Sequence, residues 1–229
     1  MARRFLHHSR RGLMSLFALT LGLVLILQSC TTTPSASSPS PDAFTERMSK
    51  EHQGDQPIAT EAATQKPAVE VTSTMVKYAT VNGQTVQGFL SQPVASDKPL
   101  PAIIAIHEWW GLNDNIKAVT ERLAGEGYSV LAVDLYGGQV ATQPDQAKQL
   151  MQSVMQDTEP AKDNLRQAYE YLVKEQQAPK IGSIGWCFGG AWSLNTGLLL
   201  PTKLNALVIY YGKLETNPEI LAPLQMPIA

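Results

Sequence analysis

Cysteine occurs only twice in the 229 residues, at positions 30 and 187, so at most one disulfide could help hold the fold. Histidine is nearly as scarce: His7, His8, His52 and His107 are the full set. Downstream of Cys187 there is no histidine and no aspartate, and the only acidic side chains there are Glu215 and Glu219. Acidic residues are missing from the first 29 positions, where four of the 18 Lys and Arg residues lie. Past Cys30, 14 basic groups therefore face 20 acidic ones, a net charge of −6 that argues against nucleic acid as a partner. From Thr31 to Val69 large apolar residues are almost absent, so that stretch has little with which to build a core. No internal repeat, metal-ligand pattern or cofactor motif is visible, and neither metal nor cofactor is expected.

The N-terminus has the shape of an export signal. Arg3, Arg4, Arg10 and Arg11 precede the apolar run "LMSLFALTLGLVLIL", which ends at "LQSC" and gives way at once to polar residues. That run is short for a membrane-spanning helix. "LQSC" resembles a bacterial lipobox, which implies a signal peptide over 1–29 and lipidation of Cys30; an uncleaved membrane anchor is the alternative. "SRRGLM" also resembles a twin-arginine signal, though an arginine pair suits an ordinary basic n-region equally well. With Cys30 lipidated the expected location is a bacterial membrane surface facing the periplasm or the exterior, and Cys187 becomes a lone thiol. Residues 30–70, rich in Ser, Thr, Pro, Ala and Gln, are expected to form a disordered tether.

From residue 71 onward the pattern changes. "TMVKYATVNGQTVQGFLSQP" reads as two strands joined by the hairpin turn Asn82-Gly83. The runs "PAIIAIHE", "YSVLAVDLY", "KIGSIGW" and "LNALVIYYG" read as strands apolar on both faces, and amphipathic stretches at helical spacing separate them. Buried strands alternating with helices predict an α/β domain over 71–229, its sheet mostly parallel and covered by helices on both faces.

Within that plan "IGSIGWCFGGAW" matches the mechanics of a nucleophile elbow. A strand runs into a turn so tight that the residues two before and two after the nucleophile, Gly185 and Gly189, must lack side chains. Cys187 stands at the nucleophile position, where the N–H of Phe188 can meet an oxyanion and the helix N-terminus favours a thiolate. A structural cysteine in a tight turn is the competing possibility. "IHEWWGLND" ends a strand at the edge where parallel sheets carry ligand sites. The N–H of Trp109 would complete the oxyanion hole and Glu108 would face the elbow, whereas His107 and Trp110 are expected to be packing residues.

Together "HEWWGLN", "GYSVLAVDLYGG" and "GSIGWCFGGAW" resemble the signature segments of the dienelactone hydrolase family of α/β-hydrolases. The resemblance implies hydrolysis of small esters or lactones with Cys187 as nucleophile, Glu108 contacting the resting thiol, Trp109 and Phe188 as oxyanion donors, and Tyr136 in the substrate pocket. Two features depart from the family. Gly138 stands where members acting on dienelactone carry an arginine for the substrate carboxylate, and the Asp and His of the triad, which follow the nucleophile in this fold, are absent from this chain. "PLQMPIA" reads as the beginning of a strand beside "LNALVIYYG". The expectation is therefore an α/β-hydrolase fold whose C-terminal strands and helix are missing, inactive in this form. A non-catalytic lipid-anchored binding protein is the alternative, and a thiol redox protein would lack a resolving cysteine.

Overall fold

The computed structural model describes residues 41–61 and 63–229. The expected signal peptide and Cys30 lie outside the described residues.

The sheet begins as a hairpin. β1 (Val71–Val81) and β2 (Gln84–Pro93) pair antiparallel. Asn82 and Gly83 join them with φ of 49° and 75°, the doubly left-handed turn that this dipeptide favours. β3 (Ala102–Ile106), β4 (Ser129–Val133), β5 (Ile181–Trp186) and β6 (Ala206–Tyr210) complete six strands in the order β1-β2-β4-β3-β5-β6. β2 meets β4 antiparallel, while β4, β3, β5 and β6 run parallel. The chain continues past β6 into a parallel bridge, with Leu207 opposite Ile228 and Ile209 N–H donating to Ala229 O at 2.8 Å.

Helices cover both faces, which explains strands with no polar alternation. On one face Ile104, Ile106, Leu131 and Val133 pack with Leu165 and Leu172 of α4 (Glu159–Lys174) and Trp192 of α5 (Phe188–Leu199). On the other, Ala105, Val130, Ala132 and Ile184 pack with Ile116 and Ala124 of α2 (Asp114–Gly125). Asn113 caps α2 by accepting the Ile116 N–H at 3.1 Å, and Gly127 at φ 96° lets the chain leave it. α3 (Pro144–Gln156) precedes α4, and a short α6 (Pro218–Leu221) follows β6.

The segment expected as a disordered tether differs over its described part. Pro41–Glu51 forms helix α1, whose Met48 and Thr45 are buried, with Thr45 Oγ1 at 3.7 Å from Met155 Sδ of α3. An ion pair joins Lys148 of α3 to Glu46. Farther along, Ala63 is buried and the Thr60 N–H donates to Asn115 Oδ1 of α2 at 3.1 Å. Composition foresaw too little apolar surface for an independent core. It did not foresee that a few side chains suffice to dock on a surface the domain already presents.

Candidate active site

The turn out of β5 is held open by glycine. A Cβ on Gly185 would come within 1.9 Å of Gly189 O, and one on Gly189 within 2.2 Å of Ile106 O. Both distances lie far inside van der Waals contact, so the elbow brings its two arms and the end of β3 together at backbone range. Cys187 sits at the apex with φ 56° and ψ −118°, a conformation that costs a non-glycine residue roughly 1–3 kcal/mol. The frame around it is over-determined. Its N–H donates to Tyr210 O at 3.0 Å, and its carbonyl accepts Gly190 N–H at 3.0 Å and Ala191 N–H at 3.3 Å.

The side chain of Cys187 is buried, and the backbone N–H groups of Phe188 and Trp109 lie near enough to favour its charged form. Burial pushes the thiol up to about 12; the Phe188 N–H opposes that, the Glu108 carboxylate adds to it, the Trp109 N–H opposes it, and the Asp55 carboxylate adds again. The resting group is thus a neutral thiol beside two backbone amides.

Glu108 leaves the end of β3 in a turn closed by the Gly111 N–H on Glu108 O at 3.2 Å, with Gly111 at φ 95°. Its carboxylate is steered by two donors, Tyr211 Oη on Oε1 at 3.0 Å and Asn115 Nδ2 on Oε2 at 3.4 Å. A cavity of about 420 Å³ opens beside it, lined also by Asn115, Ile184, Trp186, Tyr210 and Tyr211; Cys187 is not part of that wall. His107 is fully buried with both ring nitrogens engaged: Nδ1 pairs with Glu108 O at 2.6 Å and Nε2 accepts the Leu135 N–H at 3.1 Å. It ties the end of β3 to the end of β4 as a core residue, and Trp110 packs edge-on against Trp109.

Tyr136 lies on the same floor, its ring 4.6 Å from His107 and 5.5 Å from Phe188. Its hydroxyl is buried and finds no hydrogen-bond partner among the described residues. Burial raises its pKa, and the nearby Cys187 and Asp134 raise it further. Asp134 shapes the loop: Oδ1 accepts the Tyr136 N–H at 2.8 Å, and Oδ2 accepts the Gly138 N–H. Gly137 and Gly138 run left-handed at φ 63° and 88°, so an arginine at position 138 would be strained as well as absent.

All five residues singled out in the folded sequence, Cys187, Glu108, Trp109, Phe188 and Tyr136, thus meet around one sulfur atom. The sequence did not point to Asn115 or Tyr211, which steer Glu108, or to His52 and Asp55, which arrive from the N-terminal segment. The His52 ring lies 5.6 Å from that of Trp109, and its Nδ1 is 2.5 Å from Asp55 Oδ2. None of these four belongs to a local motif; a polar residue in the first turn of α2, next to "HEWWGLN", was the one available signal.

The sequence profile of the dienelactone hydrolase family matches residues 86–229. A protein of Aquifex aeolicus provisionally named a carboxymethylenebutenolidase is 34% identical over 137 residues, covering 57% of this chain and 58% of that one. A similarly named protein of Saccharolobus solfataricus is 32% identical over 182 residues, covering 63% and 67%. The chain thus spans 58% of the length of the first of these relatives. Among solved structures, a dienelactone hydrolase-like promiscuous phosphotriesterase from metagenomic libraries superposes with a TM-score of 0.62 at 25% identity, covering 69% of this chain and 66% of that one. A Klebsiella pneumoniae protein provisionally named a dienelactone hydrolase, at 22% identity and a TM-score of 0.60, shares the fold. With its elbow, its sheet order and a profile match across more than half its length, the chain belongs to the dienelactone hydrolase family.

Proposed function

We propose that the protein hydrolyses small esters or lactones with Cys187 as the nucleophile. The observation that carries this is a cysteine held at φ 56° between a strand and a helix, with the amides of Phe188 and Trp109 near enough to favour its thiolate. Structural cysteines have no need of such strain or of two donors. In the reaction the thiol gives up its proton, the sulfur adds to the substrate carbonyl, and the two amides take the developing oxyanion. Collapse of the tetrahedral species expels the alkoxide, which takes up the proton the thiol released and leaves as the alcohol; water then cleaves the thioester to the acid, and one of its protons restores the thiol. Burial, reinforced by the Glu108 carboxylate, keeps the resting thiol neutral, and the substrate contact assigned to Tyr136 is supported by its buried hydroxyl, which has no partner among the described residues. Gly138 offers no cation for a substrate carboxylate, which favours neutral esters and lactones.

The test is acylation by p-nitrophenyl acetate, followed by intact mass and by release of nitrophenolate. One acyl group on Cys187 is expected, with both signals lost in Cys187→Ala. Undiminished nitrophenolate release by Cys187→Ala would refute the assignment.

For the N-terminus we propose export and lipidation at Cys30, on the basic n-region, the apolar run and "LQSC". The protein would be tethered to a bacterial membrane and face the periplasm or the exterior. Cys30→Ala should move it from the membrane fraction to the soluble one; unchanged retention with an unmodified N-terminus would refute this.

A further inference from the structure

The N-terminal segment is fastened to the domain at several points. α1 rests on α3 through Thr45 and the ion pair of Glu46 with Lys148. Beyond α1 the His52 ring meets the Trp109 indole, and the Thr60 N–H donates to Asn115 Oδ1 at 3.1 Å. Ala63 is buried in a turn closed by its own N–H on Thr60 Oγ1 at 3.2 Å. Farther on, the chain runs so close to α2 that a Cβ on Gly125 would stand 2.7 Å from Pro67 Cβ and 2.8 Å from the Ala68 nitrogen. Residues 52–68 thus form a strap with defined contacts, and one of these falls on a side chain that also touches the site.

That side chain is Asn115, buried in the first turn of α2. Its Oδ1 accepts from Thr60, and its Nδ2 donates to Glu108 Oε2 at 3.4 Å. A carboxamide has one donor end and one acceptor end. The peptide N–H of Thr60 can only donate and the carboxylate of Glu108 can only accept, so a single orientation of the amide serves both neighbours. Reversed, it would set oxygen against carboxylate and NH2 against N–H. We propose that Asn115 is a positioning residue for Glu108 and that the strap sets it: docking of Thr60 locks the carboxamide that holds the Glu108 carboxylate at the elbow.

The consequence falls on Cys187, and the proposal rests on the reading of that residue as the nucleophile. The titratable groups that bear on its charge come from four places: Glu108 after β3, Asp55 on the strap, Tyr136 after β4 and Tyr211 after β6. Of the two carboxylates, Glu108 has the larger influence. Without the Asn115 donor it would keep only the hydroxyl of Tyr211, an exposed residue. It also borders the cavity of about 420 Å³, into which a released carboxylate can turn to regain water. A carboxylate that moves off no longer opposes the thiolate. The docked strap therefore holds the nucleophile at rest, and displacing the strap makes it more reactive.

The experiment uses the full-length chain and an aromatic disulfide at pH 7.5, each protein being read against its own Cys187→Ala counterpart. Losing one of two tethers should release about half of the roughly one-unit influence of a neighbouring carboxylate. Half a unit multiplies the thiolate about three-fold and lowers its nucleophilicity by roughly 1.7-fold. Asn115→Ala should therefore react about two-fold faster, with its pH-rate profile displaced toward lower pH. In a Glu108→Gln background the same substitution should change nothing, because the charge it positions is gone; this cycle separates positioning from lost packing. Thr60→Pro, at an exposed position, removes the N–H of the strap and frees the stretch that carries Asp55, so a gain of about two-fold or more is expected there. Parent-like or slower reaction in Asn115→Ala, or an equal gain in the Glu108→Gln background, would overturn the positioning role. Parent-like reaction in Thr60→Pro would overturn its control by the strap. Undiminished nitrophenolate release by Cys187→Ala, read separately with p-nitrophenyl acetate, would overturn the nucleophile reading itself, and the proposal with it.

Discussion

Replacing Glu108 by glutamine tests the electrostatics of the site while keeping the shorter of its two hydrogen bonds, that from Tyr211, and giving up the longer one from Asn115. The amide oxygen of Gln can still accept from Tyr211 Oη, now at 3.0 Å from Glu108 Oε1, while the negative charge disappears. Cys187 is held at about 12, and after burial Glu108 is the largest influence raising it. A like charge in contact typically moves a group by one to three pK units, so the midpoint should fall by roughly one unit or more and stay above that of a free thiol, because burial is unchanged. At pH 7.5 each unit multiplies the thiolate by ten, while its intrinsic nucleophilicity drops about three-fold for a Brønsted slope near 0.4–0.5. The net expectation is about a three- to four-fold faster reaction per unit with an aromatic disulfide, and a pH-rate profile displaced toward lower pH. The assay reads Cys187 as the difference between each protein and its Cys187→Ala counterpart, since Cys30 is also a thiol. Coincident profiles for parent and Glu108→Gln would refute the placement of this carboxylate beside the sulfur. A slower reaction would show that Glu108 organises the site rather than opposing the thiolate.

Gly189→Ala should be among the most damaging single-methyl changes available. The new Cβ would meet Ile106 O at 2.2 Å and His107 O at 2.5 Å, so the elbow must move off β3, and a loss of about 3 kcal/mol or more is expected in denaturant unfolding. A change under about 0.5 kcal/mol would mean the turn is not so constrained. His107→Gln should lower stability and also change its response to acid. Burial holds the pKa of His107 below its usual value, so the fold favours the neutral ring. That contribution is present above the unfolded pKa of about 6.5 and is lost as pH falls through the folded one. Unfolding midpoints at pH 7.5 and pH 5 should draw closer together in the variant; an unaltered gap between them would refute the assignment of a buried neutral histidine.

Much of this protein is legible along the chain because the relevant physics is local. Asn82-Gly83 specifies its turn through the left-handed φ both residues tolerate, and Asn113 announces α2 because a short polar side chain satisfies a free helical N–H. Strands with no alternation imply two covered faces, and the α/β class follows. Gly185, Cys187 and Gly189 likewise lie within five residues, so the elbow could be read from sterics alone. What brings Trp109, Glu108 and Tyr136 to that elbow is the order of strands: β3 lies between β4 and β5, so the ends of three strands distant in sequence converge at one sheet edge. Spacing along the chain does not encode that adjacency.

The N-terminal segment marks the opposite limit. Its composition argued for a free tether, because composition measures whether a stretch can fold by itself. Only the tertiary surface shows that Met48 and Ala63 have places to go and that Asn115 offers an acceptor to Thr60. His52 and Asp55 carry no motif, stand about 130 residues before the nucleophile in the sequence, and meet the site through one indole ring. The contact of His52 with Trp109 is a property of docking: it depends on which surfaces come together once the sheet has formed, and no local preference of the chain records it.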